Sequence, residues 1–102
     1  MIKTKIFSLI IILFVSNAFA RDYIIVQSTT STANTGLLDL LSEEFFLDTG
    51  IEVRAVAVGT GTAIANARKG DGDVLMVHSK VDELKFVQDG FGVERYDLMF
   101  ND

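Results

Sequence analysis

After a nearly unbroken apolar block, Ile6 to Val15, the chain alternates short apolar runs with amphipathic stretches. Lys3 and Lys5 precede that block and Ala18-Phe19-Ala20 follows it. Positive, apolar and small-residue zones in this order mark a secretory signal. The apolar run is too short to hold the chain across a bilayer. Residues 1–20 are therefore expected to be a cleaved signal peptide, with residues 21–102 exported and not stably inserted in a membrane.

Beyond it, Tyr23 to Gln27 has branched and aromatic residues without polar alternation, the pattern of a strand buried on both faces. Leu37, Leu41 and Phe45 recur four apart with Leu38 beside them, which predicts a helix opening near Thr35 and stopped by Gly50. Ile51 to Val58 alternates at first and then turns wholly apolar, predicting a second strand whose later part is buried on both faces. A short helix through Ala63, Ile64 and Ala67 is predicted to stop at Gly70, with Arg68 and Lys69 at its negative end. After the Asp71-Gly72-Asp73 turn, Val74 to Val77 reads as a third strand. Ser79 and Asp82 have capping-box spacing, and Val81, Leu84 and Val87 give the next helix its expected stripe. Val93 to Phe100 is expected to be a fourth strand. Apolar strands alternating with amphipathic helices define an α/β fold: a mainly parallel sheet with helices on both faces.

Ligands of such sheets bind at the carboxyl ends of the strands. The expected strand-to-helix loops all lie on that edge, and their composition is distinctive. The first contains five consecutive hydroxyl residues, Ser28 to Thr32; the second is Gly59-Thr60-Gly61-Thr62; the third is His78-Ser79. Hydroxyls and the free N–H groups of a helix start are anion donors, and glycine permits close backbone approach. The plainer reading of a Ser/Thr loop is a helix cap. With all three loops on the ligand-binding edge, the first two favour a joint site for a small anion.

Composition narrows the chemistry. There is no Cys, which excludes a lipid anchor on Cys, disulfides, Cys-ligated zinc and thiol catalysis. Lys3 and Lys5 leave with the signal, so 7 cations face 14 carboxylates in the remainder, a net charge of −7. An acidic domain is a poor general binder of nucleic acid or anionic membrane. Gly59-Thr60-Gly61 begins a dinucleotide fingerprint, but Ile64 stands where its third glycine belongs, and no Gly-Lys-Ser/Thr triplet completes a phosphate loop. His78 is the one histidine and Gly-x-Ser-x-Gly is absent, so His78 reads as packed or hydrogen-bonded and an exported hydrolase is the weakest reading. Asp71 and Asp73 read as turn carboxylates, not a calcium loop. No cofactor or metal is expected, and the chain does not read as an enzyme. Neither anion loop carries Lys or Arg, and a site of neutral dipoles suits a fully ionised oxyanion.

The segments Ser28 to Asp39, Val56 to Gly61, Lys69 to His78 and Asp89 to Arg95 resemble, in this order, the tungstate-binding periplasmic proteins of the Tup type. These are substrate-binding components of ABC importers for tungstate, sometimes molybdate. The resemblance implies a two-lobed type II periplasmic-binding-protein fold, with the oxyanion in the cleft and a membrane permease as partner. Carried over by motif, it makes Thr30 and Ser31 the best contacts, with Thr29 and Thr32 near, and adds Gly59, Thr60 and Gly61. The sequence departs from the family at Asn34-Thr35, Thr62 and Ser79-Lys80. Family members continue into a second lobe that carries further ligands, so residues 21–102 are expected to be an incomplete first lobe. Phosphate or sulfate binding and an inactive truncated remnant are the alternatives.

Overall fold

The structure is a computed structural model that describes residues 22–99. The signal-peptide expectation and Phe100 lie outside the described residues. The elements are β1 (Tyr23–Thr29), α1 (Thr30–Asn34), α2 (Leu37–Thr49), β2 (Glu52–Val58), α3 (Thr60–Arg68), β3 (Val74–Leu75) and α4 (Lys80–Gln88). The three strands form a parallel sheet in the order β2-β1-β3. β1 is central. It pairs with β2 from Tyr23↔Glu52 to Thr29↔Val58, and with β3 at Val26↔Val74 and Gln27↔Leu75. The ladder to β3 extends beyond its two residues. Asp73 N–H donates to Ile25 O at 2.8 Å and Met76 N–H to Gln27 O at 2.8 Å. Ile25 N–H is taken by the Asp73 carboxylate at 2.9 Å.

Strand periodicity decides which helix covers which face. Ile24 and Val26 point to one side, where Leu38, Leu41 and Phe45 of α2 line a 230 Å³ apolar cavity with them and with Val53 and Met76. Gln27 points to the other side, where its Oε1 accepts from Asn66 Nδ2 of α3 at 3.2 Å. Helices thus lie on both faces, as the alternation predicts. Gly36 (φ 81°) and Gly50 (φ 73°) bracket α2 in the left-handed region that other residues resist. Gly50 N–H closes the helix on Phe46 O at 2.8 Å. The buried apolar side chains among the described residues are Val26, Leu38, Ala63 and Phe86, a small core for a small domain.

Four expectations are corrected. The hydroxyl stretch is not one loop: Ser28 and Thr29 complete β1, and Thr30 to Asn34 form a short helix before the one predicted at Thr35. β2 is a sheet edge, and Ala55 and Ala57 stay exposed instead of being covered on both faces. In α4 the buried residue is Phe86, whereas Val81 (79%) and Leu84 (50%) face solvent. Phe86 turns to Phe91, with ring centroids 5.8 Å apart. Finally, no strand forms over residues 93–99, because no neighbouring strand accepts its ladder. Side chains organise that segment instead. Arg95 pairs with Glu83 at 3.2 Å and Asp97 at 2.8 Å, and the hydrogen bond from Arg95 holds the Asp97 carboxyl below the usual carboxylate range.

The capping-box spacing produces a different contact. Ser79 Oγ donates to the Asp82 carboxylate at 2.7 Å, and no side chain caps the α4 backbone.

Gly72 sits directly against β1: a Cβ there would stand 2.9 Å from Gln27 Cγ. Gln27 cannot swing away, since its Nε2 donates to Asp71 O at 2.7 Å while its Oε1 is held by Asn66. Gly72→Ala is expected to lower stability by about 1–3 kcal/mol, the usual cost of overpacking. Urea unfolding followed by circular dichroism measures this through the midpoint, with little change in slope.

Candidate functional site

Parallel pairing brings the carboxyl ends of all three strands to one edge. The chain leaves β1 toward β2 on one side and then crosses from β2 to β3 on the other. Such a reversal opens a crevice beside the central strand, where open α/β sheets bind ligands. The ends of β1 and β3 meet there, and the polar residues of the sequence converge on it.

Ser28 is fully buried and Thr29 nearly so. Ser28 Oγ donates to Met76 O at 2.7 Å, which clasps β1 to the end of β3. That hydroxyl is structural and faces no ligand. Thr29 is the N-cap of α1: its Oγ1 accepts from Thr32 N–H at 3.3 Å. The same oxygen lies 2.8 Å from Thr32 Oγ1 and 3.3 Å from Ser31 Oγ. Thr30 and Ser31 are exposed on the first turn, and the Thr30 hydroxyl has no protein partner among the described residues. Thr35 closes the far end, its Oγ1 donating to Thr32 O at 2.7 Å. α1 has only five residues, too short for a helix dipole of consequence. The donors that matter here are individual hydroxyls and N–H groups.

The second segment lies alongside and corrects the expectation of a four-residue loop: only Gly59 precedes the helix, and Thr60, Gly61 and Thr62 form the first turn of α3. Because Thr29 pairs with Val58, Thr30 and Gly59 are the first residues beyond the ends of two adjacent strands. Strands sit about 4.8 Å apart. Gly59 is the N-cap of α3 and offers no side chain to it. The first-turn N–H groups of a helix have no partner inside the helix. At Gly59 and Gly61 a Cβ would meet no atom within 4 Å, so packing within this chain does not require glycine at either position. Both leave the backbone open to approach from outside. No hydrogen bond joins this loop to the hydroxyl cluster among the described residues; the sheet alone sets them side by side.

The third loop contributes His78. It is exposed, not packed, and its Nε2 lies 3.2 Å from Ser31 Oγ. Sequence spacing could not have revealed this contact across 47 positions, since it exists only because β3 docks next to β1. No carboxylate engages the imidazole, so a nucleophile–base–orienter set is incomplete among the described residues. No group of three His, Cys, Asp or Glu side chains comes together there as a metal site either.

The chain belongs to the PBP superfamily, whose domain profile matches residues 16–102. Within that class it is similar to tungstate-binding proteins. It is 54% identical over 83 residues to the tungstate-binding protein TupA of Peptoclostridium acidaminophilum, covering 81% of this chain and 29% of that one. Among solved structures, the tungstate-binding protein TupA from Desulfovibrio alaskensis G20 superposes with a TM-score of 0.76 at 50% identity, covering 78% of this chain and 32% of that one. The tungstate ABC transporter from Geobacter sulfurreducens gives a TM-score of 0.76 at 44% identity, over 82% of this chain and 36% of that one. The chain thus spans about a third of the length of these relatives. Among the described residues, no helix is long and apolar enough to cross a membrane.

The two neighbouring threonines should behave differently on substitution. Thr29→Val removes a buried cap and is expected to cost about 1 kcal/mol. Thr30→Val, at an exposed hydroxyl with no protein partner, should change stability by no more than about 0.5 kcal/mol. Thermal and urea unfolding of the two variants side by side measures the contrast.

Proposed function

We propose that the protein is the periplasmic substrate-binding component of an ABC importer for tungstate or molybdate. Residues 21–102 are its first lobe and form one wall of the binding cleft. The observation that carries this reading is the convergence, at the reversal point of the sheet, of the hydroxyl cluster at Thr29 to Thr32 with the open backbone of Gly59 to Gly61. Thr30, Ser31 and Thr32 supply hydroxyl donors, and Thr29 holds them in place. Gly59, Thr60 and Gly61 supply backbone approach and N–H groups. The absence of Lys and Arg from both segments favours a fully ionised, weakly basic oxyanion over a generic anion. The likeness to proteins named for tungstate binding supports the same ligand class. Export rests on residues 1–20, and the permease partner on the kinship with an ABC transporter component.

A lobe that presents one wall leaves much of the anion in water, so this chain alone binds weakly. Tungstate should still raise its melting temperature, by the equivalent of about 2.7 kcal/mol once the ligand is a hundredfold above Kd. A variant with Thr30, Ser31 and Thr60 changed to Ala should keep its fold and lose that stabilisation. An undiminished shift in this variant would sink the site assignment. Parallel titrations with molybdate, phosphate and sulfate test the ligand class, and a larger response to phosphate or sulfate would replace it with the alternative.

The 3.2 Å contact between Ser31 and His78 is the one observation that favours a hydrolase. Turnover of a simple ester that disappears in Ser31→Ala is the result that would support it.

A further inference from the structure

Gln27 closes a ring of hydrogen bonds on the face of the sheet that α3 covers. Its Nε2 donates to Asp71 O at 2.7 Å, Asp71 N–H donates to Asn66 O at 3.0 Å, and Asn66 Nδ2 donates to Gln27 Oε1 at 3.2 Å. The direction of each bond follows from the groups themselves. A backbone carbonyl only accepts, so the Gln27 amide must turn its NH2 to Asp71 and its oxygen to Asn66. Asn66 must then present its own NH2. Gln27 is 3% exposed, so a bond lost on its side is not replaced by bulk water.

The other contacts of α3 supply no directional bond to β1 among the described residues. The chain enters the helix through Gly59, which has no side chain to cap the first turn. The one fully buried side chain of α3 is the methyl group of Ala63, which limits how closely the helix approaches but leaves it free to tilt. Arg68 pairs with Asp89 at 3.4 Å, toward α4 and not toward β1. Ala63 N–H is the first to bond within the helix, to Gly59 O at 2.9 Å, which leaves the N–H groups of Thr60, Gly61 and Thr62 without an intrahelical acceptor. Ala63 also lies midway between Thr60 and Asn66, three residues or about 4.5 Å along the axis from each. A tilt about Ala63 that carries Asn66 off Gln27 therefore carries Thr60 a similar distance the other way. Good N–H···O distances span only about 0.5 Å, so a small tilt is enough to spoil a bond at the first turn.

We propose that Gln27 and Asn66 are positioning residues of the oxyanion site: their hydrogen bond fixes the tilt of α3 and thereby aims the first-turn N–H groups of Thr60 and Gly61 at an anion held by Thr30 and Ser31. The proposal rests on the oxyanion reading given above. Neither Gln27 nor Asn66 need touch the anion. Gln27 lies two residues before Thr29 on β1, Asn66 lies in the second half of α3, and both act through the helix.

The test uses tungstate as the probe and measures affinity by calorimetry well below the unfolding transition, where a loss of stability does not enter. Asn66→Ala deletes the donor at a helical position that alanine favours, and should weaken tungstate binding on the order of tenfold, the loss expected for one misaligned hydrogen bond to a charged group. Phe86→Leu loosens the contact with Phe91 away from the site, and should lower the melting temperature while leaving the affinity unchanged. In a Gln27→Met background, Asn66→Ala should have no further effect, because the coupling runs through that amide. Backbone NMR of the anion-free protein should show the Thr60 and Gly61 amide resonances displaced in Asn66→Ala and undisplaced in Phe86→Leu. Equal affinity in Asn66→Ala, an equal loss in Phe86→Leu, a further loss in the Gln27→Met background, or undisplaced Thr60 and Gly61 resonances in Asn66→Ala would each overturn the proposal and leave the oxyanion reading standing. Absence of tungstate binding in the unsubstituted protein at any concentration removes the oxyanion reading and this inference with it.

Discussion

Polar groups taken out of water must find partners, and leaving one unpaired costs more than a typical hydrogen bond contributes. The end of β1 runs into this constraint three times in succession. Gln27, Ser28 and Thr29 are all buried, at 3%, 0% and 2% exposure. Each is satisfied by a different part of the chain. Gln27 reaches Asp71 O and Asn66, Ser28 reaches Met76 O, and Thr29 caps α1. The result is that α3, the turn before β3, β3 itself and α1 are all positioned from one strand end. Among the described residues no buried side-chain polar atom lacks a partner. The small apolar core supplies the driving force for collapse, and these directional bonds decide where the pieces stop.

The same strand end is where the candidate site begins. This follows from geometry. Parallel strands deliver every strand-to-helix connection to one edge, and the strand order reverses at β1, the kind of place where open α/β sheets bind ligands. The buried polar residues anchor the floor, and the exposed hydroxyls of Thr30 and Ser31 stand directly above it. Stability and binding are therefore divided between adjacent residues of one hydroxyl run. Ser28 and Thr29 face inward, while Thr30 and Ser31 face out.

Much of this could be read from the sequence. The branched, apolar run at Tyr23 to Gln27, the run at Ile51 to Val58 that alternates and then turns apolar, and the stripe at Leu37, Leu41 and Phe45 with Leu38 beside it place two strands and the helix between them, because run length and branching mark the strands and four-residue spacing marks the helix. The glycines at 36, 50 and 70 take positive φ, and two of them end the first two long helices as expected. The segment after Gly90 was not legible. Val93 to Met99 has the composition of a strand, yet strand composition reports fitness for a ladder and not the presence of a neighbour to pair with. The stripe of α4 failed for a similar reason: Phe86 is buried by Phe91, which lies beyond the helix, and periodicity sees only the helix itself.

The sequence by itself determined the alternation of strands and helices, the two neutral anion-favouring segments, and the absence of thiol chemistry, since these follow from local period and from which atoms are present. Only the tertiary structure decided which hydroxyls face inward and which face out, and that His78 stands beside Ser31. The reason is that these outcomes depend on strand order. Placing β3 on the far side of β1 from β2 brings together residues 47 positions apart, and nothing local in the chain encodes that juxtaposition.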